Sequence, residues 1–502
     1  MLSFIKSAAK NSLIYGLGNI STKIIGFVLL PLYTSHLSVQ EYGILGLLEV
    51  SSQLLVGIFG LSLTYPFFRW YWDKEFIEMR RAIMFTCMVC LLCVAGALVG
   101  TVIVFSRYLS ILLFDTPQYS MLVIVLSISV SLQILASIPS SLMQLQQKAV
   151  LFSMVNIIQL ATSLTVTIIC VAYLSMNVLG IYIAQIVGGV IYFIVLSKYI
   201  LKNMEMVFNP KILKGMLLLS LPLVIASIAG ILINVADRYM LRYFGHLSDV
   251  GIYSLGYKIA NTVYVFVVMS INLSIAPMLY KIMDDPNNKR VYSKVMTYVA
   301  FGVMICVIGI SFFSREIIKV MAQNPEYWNS YKVVPFIAFA IFFGMLKDIS
   351  QIGLNLTKKT KIMSFIVVAI SLVNILLNAL LIPYLQTIGA AVSALLSQLA
   401  FFLLIYAFSQ KYYFIPYEWS KVIIISILGI AVVFGGSIVQ DAHFVIRFTV
   451  KIFLLTAFPI ILYYLKFFEA VELRRLHGAW IKWNNPLNWK MNIRELFISS
   501  ST

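Results

Sequence analysis

Thr34-Ser35-His36-Leu37-Ser38, with Tyr42-Gly43-Ile44 behind it, returns about 210 residues later as Phe244-Gly245-His246-Leu247-Ser248, with Val250-Gly251-Ile252 behind it. A long apolar run precedes each copy and another follows, carrying Pro66 in the first and Pro277 in the second. The glycines sit two residues closer to the histidine in the second copy, and relative to those glycines the prolines drift by three the other way, so the repeat is divergent. Large internal repeats in apolar chains point to transporters, whose substrate site lies between the repeated halves.

Composition fixes the broad class. The chain is 61% hydrophobic and 11% charged, against roughly 25% charged for soluble domains. Its mean hydropathy is +0.95. Apolar runs of about 18 residues or more recur along its whole length, each enough to cross roughly 30 Å of hydrocarbon. About fourteen spans are expected between residues 11 and 467, nearly all helical, because lipid offers no partner to an unpaired backbone group.

The expected fold is therefore all-α, a polytopic membrane protein with two six-helix bundles and two extra helices. Residues 1–205 and 206–410 form the two bundles, since six spans with short loops fill about one repeat length. Residues 411–468 hold the added pair, and 469–502 form a cytoplasmic tail. In that tail Leu473, Leu476, Trp480 and Trp483 share one helical stripe opposite Glu472, Arg474, Arg475 and Lys482, the pattern of a helix lying on a membrane surface. A partly disordered basic tail is the alternative.

Basic residues concentrate in alternate loops: Arg69/Lys74/Arg80/Arg81, Lys198/Lys202/Lys211/Lys214, Lys281/Lys289/Arg290/Lys294 and Lys358/Lys359/Lys361. The loop holding His36, and those near Asn177 and Gln386, have none. The positive-inside rule then puts both termini in the cytoplasm. The net charge of +18 reads as a topology signal, and no interleaved aromatic–basic pattern argues for nucleic acid. The first span is too long for a cleavable signal and lacks a small-residue cleavage site behind it. Cys87, Cys90 and Cys93 imitate a metal motif but lie in apolar helix with no histidine near, so they read as small hydrophobes and no metal site is expected.

Polar groups placed where lipid makes them expensive carry the chemistry. A charge at a helix centre costs about 2.5–3.5 kcal/mol on insertion scales. Asn19 and Lys23 share a face of the first span, and Glu49 and Gln53 a face of the second. Asn234, Asp237, Arg238 and Arg242 run along the seventh. Lys258 and Asn261 share a face of the eighth, and Lys347, Asp348, Gln351 and Asn355 line the tenth. Amide stripes continue at Asn156/Gln159/Ser163 and Asn374/Asn378.

The plainer readings are also open. Arg242 fits a snorkelling residue, Asp237 and Arg238 a structural ion pair, and the amide stripes interhelical glue. Lys23 and Lys258 are too deep to snorkel cheaply and are assigned to a cavity. Deep cations outnumber unpaired deep acids, which points to an anionic substrate. Pro31, Pro66, Pro222, Pro277, Pro335 and Pro459 permit kinks. His36 and His246 are symmetric loop residues that the duplication explains.

Together the layout, Asn11-Ser-x-x-Tyr-Gly16, Leu30-Pro-Leu-Tyr33, Glu41-Tyr-Gly-Ile44, Asp237-Arg238-Tyr239, Val250-Gly-Ile-Tyr253 and Tyr257-Lys258-Ile259 resemble a family. It is the multidrug/oligosaccharidyl-lipid/polysaccharide (MOP) exporter superfamily, and within it the bacterial polysaccharide-transport branch of Wzx-type O-antigen and oligosaccharide flippases. The resemblance covers essentially the whole chain. It implies two bundles around a cavity that opens alternately inward and outward. It also implies a substrate of glycan joined through diphosphate to a polyprenol, held by cationic side chains. Lys23, Arg238 and Lys258 are the positions that fit that role, with Asn19, Gln53, Asn261, Lys347 and Gln351 as supporting polar groups. Glu49 and Asp237 are the candidates for ion coupling. Lipid II flippases of the superfamily carry more cavity arginines in their first two helices than this chain does, which argues against lipid II.

No catalytic residue and no cofactor are expected, and no nucleotide-binding motif supports direct ATP use. The partners expected are the lipid-linked oligosaccharide, membrane lipids and glycan-assembly proteins, with no nucleic acid. An organic-cation antiporter of the same superfamily would need an acidic cavity. A glycan polymerase or ligase would need a large outer loop or a cytosolic domain, and no loop here exceeds about twenty residues.

Overall fold

The computed structural model describes residues 26–469, apart from the side chains of residues 274, 276 and 277. Asn19, Lys23 and the tail stripe from Leu473 to Trp483 lie outside the described residues. Two compact units are present, Met1–Tyr417 and Glu418–Thr502. Among the described residues there is no strand, and twelve helical segments are long and apolar enough to cross a membrane.

The first unit opens with α1 (Leu30–His36) and α2 (Val39–Phe59), then α3 (Thr64–Trp72) and α4 (Arg80–Phe114). Next come α5 (Ser120–Leu145), α6 (Ala149–Ile168) and α7 (Asn177–Lys202). The second half holds α8 (Pro210–Phe244), α9 (Leu247–Val263), α10 (Met269–Lys281) and α11 (Asn288–Met321). It closes with α12 (Val334–Ser350), the short α13 (Ile352–Leu356) and α14 (Thr360–Tyr412). The second unit contributes α15 (Trp419–Ile438) and α16 (Phe444–Tyr464), which pack on each other.

α14 is two helices. Gln386 breaks its backbone at φ 47°, and Asn374 Nδ2 donates to Ser397 Oγ at 3.0 Å across the break. Along a straight helix those residues would stand about 34 Å apart, so the arms fold back as a hairpin. The Asn374 amide thus joins the two arms, as interhelical glue does, while Asn378 Nδ2 donates to Asn374 Oδ1 at 3.0 Å within one arm.

Each copy of the repeated motif caps a helix. Ser38 Oγ accepts from the Glu41 N–H at 3.2 Å while Glu41 Oε2 accepts from the Ser38 N–H at 2.8 Å, closing a capping box at the start of α2. In the second copy the His246 N–H donates to Asp249 Oδ2 at 2.9 Å at the start of α9. The repeated glycines then meet. A Cβ on Gly43 would overlap the Leu247 carbonyl oxygen, and one on Gly251 would overlap the Val39 carbonyl oxygen. One turn further on, Gly46 faces Ser254 in the same way. Small residues at this spacing let α2 and α9 cross backbone to backbone, which is how helices associate in lipid.

The ends of these helices are sealed by a third segment. Tyr327 donates its hydroxyl to the Leu37 and Ser38 carbonyls at 2.9 and 3.0 Å, and its ring meets Tyr42 edge-on at 5.7 Å. Thr34 Oγ1 donates to the Met321 carbonyl at 2.6 Å.

One expectation needs correction. The second span does not run unbroken to a kink at Pro66: α2 stops at Phe59, and Leu61 and Ser62 turn the chain with φ of 52° and 46°. Pro66 sits in the first turn of α3, where its missing N–H removes no helical bond. Arg242 reaches from the end of α8 to Asp115 and to the Leu113 carbonyl at 3.1 Å, tying α8 to the end of α4.

Candidate functional site

Beyond the glycine crossing, two chambers are lined by residues of α2 and α9. A Glu49 side chain is six residues past Gly43, or about 9 Å along the helix, and Lys258 is seven past Gly251. Both side chains line both chambers, as do Gly26 and Gln53. Lys258 Nζ donates to Glu49 Oε1 at 3.1 Å, so the partition between the chambers is an ion pair joining the two halves of the repeat. The side chains stay 23% and 42% exposed respectively, which keeps the pair open to a ligand. Tyr33 and Tyr42 place their rings 5.9 Å from the ammonium.

The C-terminal chamber has a volume of about 870 Å³. Asp237, Asn261, Lys347, Asp348 and Gln351 lie on its wall. Lys347 Nζ contacts Asp348 Oδ1 at 2.8 Å and stands 4.7 Å over the Phe401 ring, while Asn272 Nδ2 donates to Asp348 Oδ2 at 3.1 Å. Between α9 and α10 the helix widens to a π-turn at Tyr264–Val268, and Tyr264, Val265 and Phe266 form part of the wall. Such bulges redirect side chains and recur at functional sites.

The N-terminal chamber has a volume of about 650 Å³ and is bounded by α2, α5, α6 and α7. Among the described lining residues only Glu49 and Lys258 are charged. Ser129 Oγ donates to Gln185 Oε1 at 2.9 Å, Gln133 Nε2 donates to Ser129 Oγ at 3.4 Å, and the Ser140 and Tyr192 hydroxyls are bonded at 2.7 Å. Pro139 removes one ladder bond in α5 beside Ser137 and Ser140, both on the wall.

The sequence-derived candidates separate clearly in space. Lys258, Glu49, Gln53, Asp237, Asn261, Lys347 and Gln351 all reach a chamber wall. Asn19 and Lys23 lie outside the described residues. Arg238 is set behind the wall: its side chain is 9% exposed, with Nε donating to Ser254 Oγ at 3.3 Å and Nη1 to the Asn234 carbonyl at 3.1 Å. Nη1 also lies 3.5 Å from Asp237 Oδ1, and the Tyr257 ring lies 4.3 Å away. Tyr253 donates its hydroxyl to Asp237 Oδ2, so this cluster braces α8 against α9.

On the described walls Lys258 and Lys347 each hold a carboxylate. Sequence reasoning also missed the hydroxyl and amide wall of α5 and α7. A stripe at Gln133, Ser137 and Ser140, at helical spacing, was the available signal. Cys87, Cys90 and Cys93 do not converge: they are buried, half-buried and exposed in turn. Among the described residues no three His, Cys, Asp or Glu side chains gather as a metal site.

Comparison with known proteins adds the following. The family model described as polysaccharide biosynthesis protein matches residues 8–283, and the MatE model matches residues 222–380. An uncharacterized membrane protein of Haemophilus influenzae is 23% identical over 283 residues, 55% of this chain and 66% of that protein. The matched region thus spans just under two thirds of that relative. Among solved structures, the lipid II flippase MurJ in its inward closed conformation gives a TM-score of 0.68 at 16% identity, covering 92% of this chain and 99% of that one. An inward-facing multidrug resistance MATE family transporter of the MOP superfamily gives 0.61 at 12% identity, covering 79% and 94%. The Vibrio cholerae MATE transporter VcmN in its bent form gives 0.54 at 13% identity, covering 81% and 98%. At such identities the likeness is one of fold.

Proposed function

This chain belongs to the polysaccharide biosynthesis protein family within the MOP exporter superfamily, and from that membership we propose that it is a flippase for polyprenyl-diphosphate-linked oligosaccharide. It moves an O-antigen, capsule or exopolysaccharide repeat unit from the cytoplasmic to the outer leaflet of the bacterial inner membrane by alternating access. The observation that carries this reading is the Lys258–Glu49 pair on the partition, reachable from both chambers.

The diphosphate competes with Glu49 for the Lys258 ammonium. A diphosphate brings more negative charge and more acceptor oxygens than one carboxylate, so the exchange favours the lipid. Glu49, released, is free to take up a cation or proton, and it re-forms the pair when the lipid leaves. Asp237 is the second coupling candidate. Outward movement of the anion gains about 2.3 kcal/mol per charge per 100 mV of inside-negative potential. With the motif loops on the outer side, the seal at Gly43, Gly251 and Tyr327 closes the outer end, leaving the chambers to load from the cytoplasm. Lys23, from its place in the sequence alone, is a further candidate cation for the diphosphate, and the prenyl tail stays in lipid.

One observation favours a second reading. Three carboxylates, Glu49, Asp237 and Asp348, line the C-terminal chamber against Lys258 and Lys347, a balance that suits an organic-cation antiporter. Transport by the purified protein in proteoliposomes separates the two. Movement of a fluorescent polyprenyl-diphosphate oligosaccharide without movement of a cationic dye supports the flippase, and the reverse result replaces it.

A further inference from the structure

The N-terminal chamber differs in kind from its neighbour. Beyond Glu49 and Lys258 at its mouth, the described wall offers amides, hydroxyls and aromatic rings and no charge. Several of those polar groups have capacity left over. Gln133 and Gln185 spend one atom each on Ser129, and Asn156 spends its nitrogen on the Phe152 carbonyl at 2.8 Å. Tyr182 also lies on the wall, its hydroxyl buried and without a hydrogen-bond partner among the described residues. The unspent amide atoms on the wall are groups that a ligand in the chamber can satisfy.

Amide groups offer both donors and acceptors, and so does each sugar hydroxyl, so the two match without any ionic contact. An ionised uronate, sulfate or phosphate on the glycan would instead be desolvated beside neutral groups, with Lys258 already engaged. The volume of about 650 Å³ falls within the roughly 300–1,000 Å³ of small-ligand sites, enough for a short oligosaccharide.

We infer that the N-terminal chamber is the glycan pocket, and that the sugars entering it are uncharged hexoses, deoxyhexoses or N-acetylhexosamines. This rests on the flippase reading and divides the substrate between the chambers: diphosphate at the Lys258 partition, neutral sugars against α5, α6 and α7. Selection comes from unpaired hydrogen-bonding groups, which reject a ligand lacking hydroxyls far more strongly than an apolar pocket can.

Binding to the full chain in lipid nanodiscs tests it. The probes are undecaprenyl diphosphate, the same lipid bearing each of a panel of neutral tetrasaccharides, the same lipid bearing hexuronate-containing tetrasaccharides, and the free neutral tetrasaccharides. The best neutral lipid is expected to bind about tenfold or more tighter than any hexuronate lipid. In Gln133→Ala/Gln185→Ala the gain from the glycan disappears while affinity for the bare lipid is unchanged. Asn156→Ala/Gln159→Ala reads the same chamber from α6 and behaves alike, which guards against a local folding defect. Equal or tighter binding of hexuronate lipids overturns the inference, as does an equal loss for bare and glycosylated lipid in both variants. If no diphosphate lipid binds, the flippase reading falls, yet glutamine-dependent binding of a free neutral tetrasaccharide upholds the pocket. If no neutral glycan in either form binds in a glutamine-dependent way, the pocket assignment is wrong.

Discussion

Lys258 Nζ lies 3.1 Å from Glu49 Oε1, joining the helix that follows the second copy of the repeat to the helix that follows the first. Because both side chains remain partly exposed in a cavity, solvent screens the pair and its contribution to stability is about 1 kcal/mol or less. Lys258→Gln and Glu49→Gln are therefore expected to fold normally, with Tm within a few degrees of wild type in detergent. A large loss of Tm in either would mean that the pair is a structural element.

Arg238 behaves in the opposite way. Arg238→Met leaves Asp237 buried beside a neutral side chain, and losing one partner of a buried pair costs about 3–5 kcal/mol. A steep drop in Tm or in yield of folded protein is expected, and Asp237→Asn/Arg238→Met recovers part of it. If Arg238→Met instead folds like wild type and loses only lipid binding, Arg238 is a ligand contact after all.

How legible this was from sequence depended on the cost of each group in lipid. Glu49, Lys258, Lys347 and Asp348 stood out because a charge within a span needs a reason. Ser129, Ser137 and Ser140 did not, since a serine in a helix can satisfy itself on its own backbone. Ser137 does so, donating to the Ile134 carbonyl at 2.6 Å. Whether Arg238 or Lys258 faces the cavity depends on the packing of α8 against α9, which periodicity along one helix does not set. The repeat gave the crossing of α2 and α9 its location, but not the contact between Gly43 and Gly251. The turn at Leu61 and Ser62 was hidden because neither residue type signals positive φ. The break at Gln386, by contrast, falls in the loop expected near that residue.

The glycine crossing can be locked. A Cβ built on Gly46 falls 3.0 Å from the Ser254 Cβ, about half an ångström short of the roughly 3.5–4.5 Å that a disulfide spans, so a small shift of the helices admits one. Gly46→Cys/Ser254→Cys, with the five native cysteines replaced, is expected to oxidise readily and to stop transport until reductant is added. Transport that continues in the oxidised protein would show that α2 and α9 do not separate there during the cycle.

Tyr327 tests the seal at the helix ends. Burial pushes its hydroxyl pKa up, so it remains a donor throughout the physiological range and the seal is insensitive to pH there. Tyr327→Phe leaves the Leu37 and Ser38 carbonyls without this donor, at a cost of about 1–3 kcal/mol to the sealed state. The expected result is a lower Tm with faster labelling of a cysteine placed at Gln53. Unchanged Tm and labelling would assign the closure to the glycine crossing alone.

The central claim is that the lipid's diphosphate displaces Glu49 from Lys258. The most direct measurement is the affinity of bare undecaprenyl diphosphate for wild type, Glu49→Gln and Lys258→Gln in nanodiscs. Removing the competing carboxylate should tighten binding about fivefold or more, and removing the ammonium should weaken it about tenfold or more. The predicted order is Glu49→Gln tightest, wild type next, Lys258→Gln weakest. Equal affinities for all three, or weaker binding to Glu49→Gln than to wild type, would contradict the account.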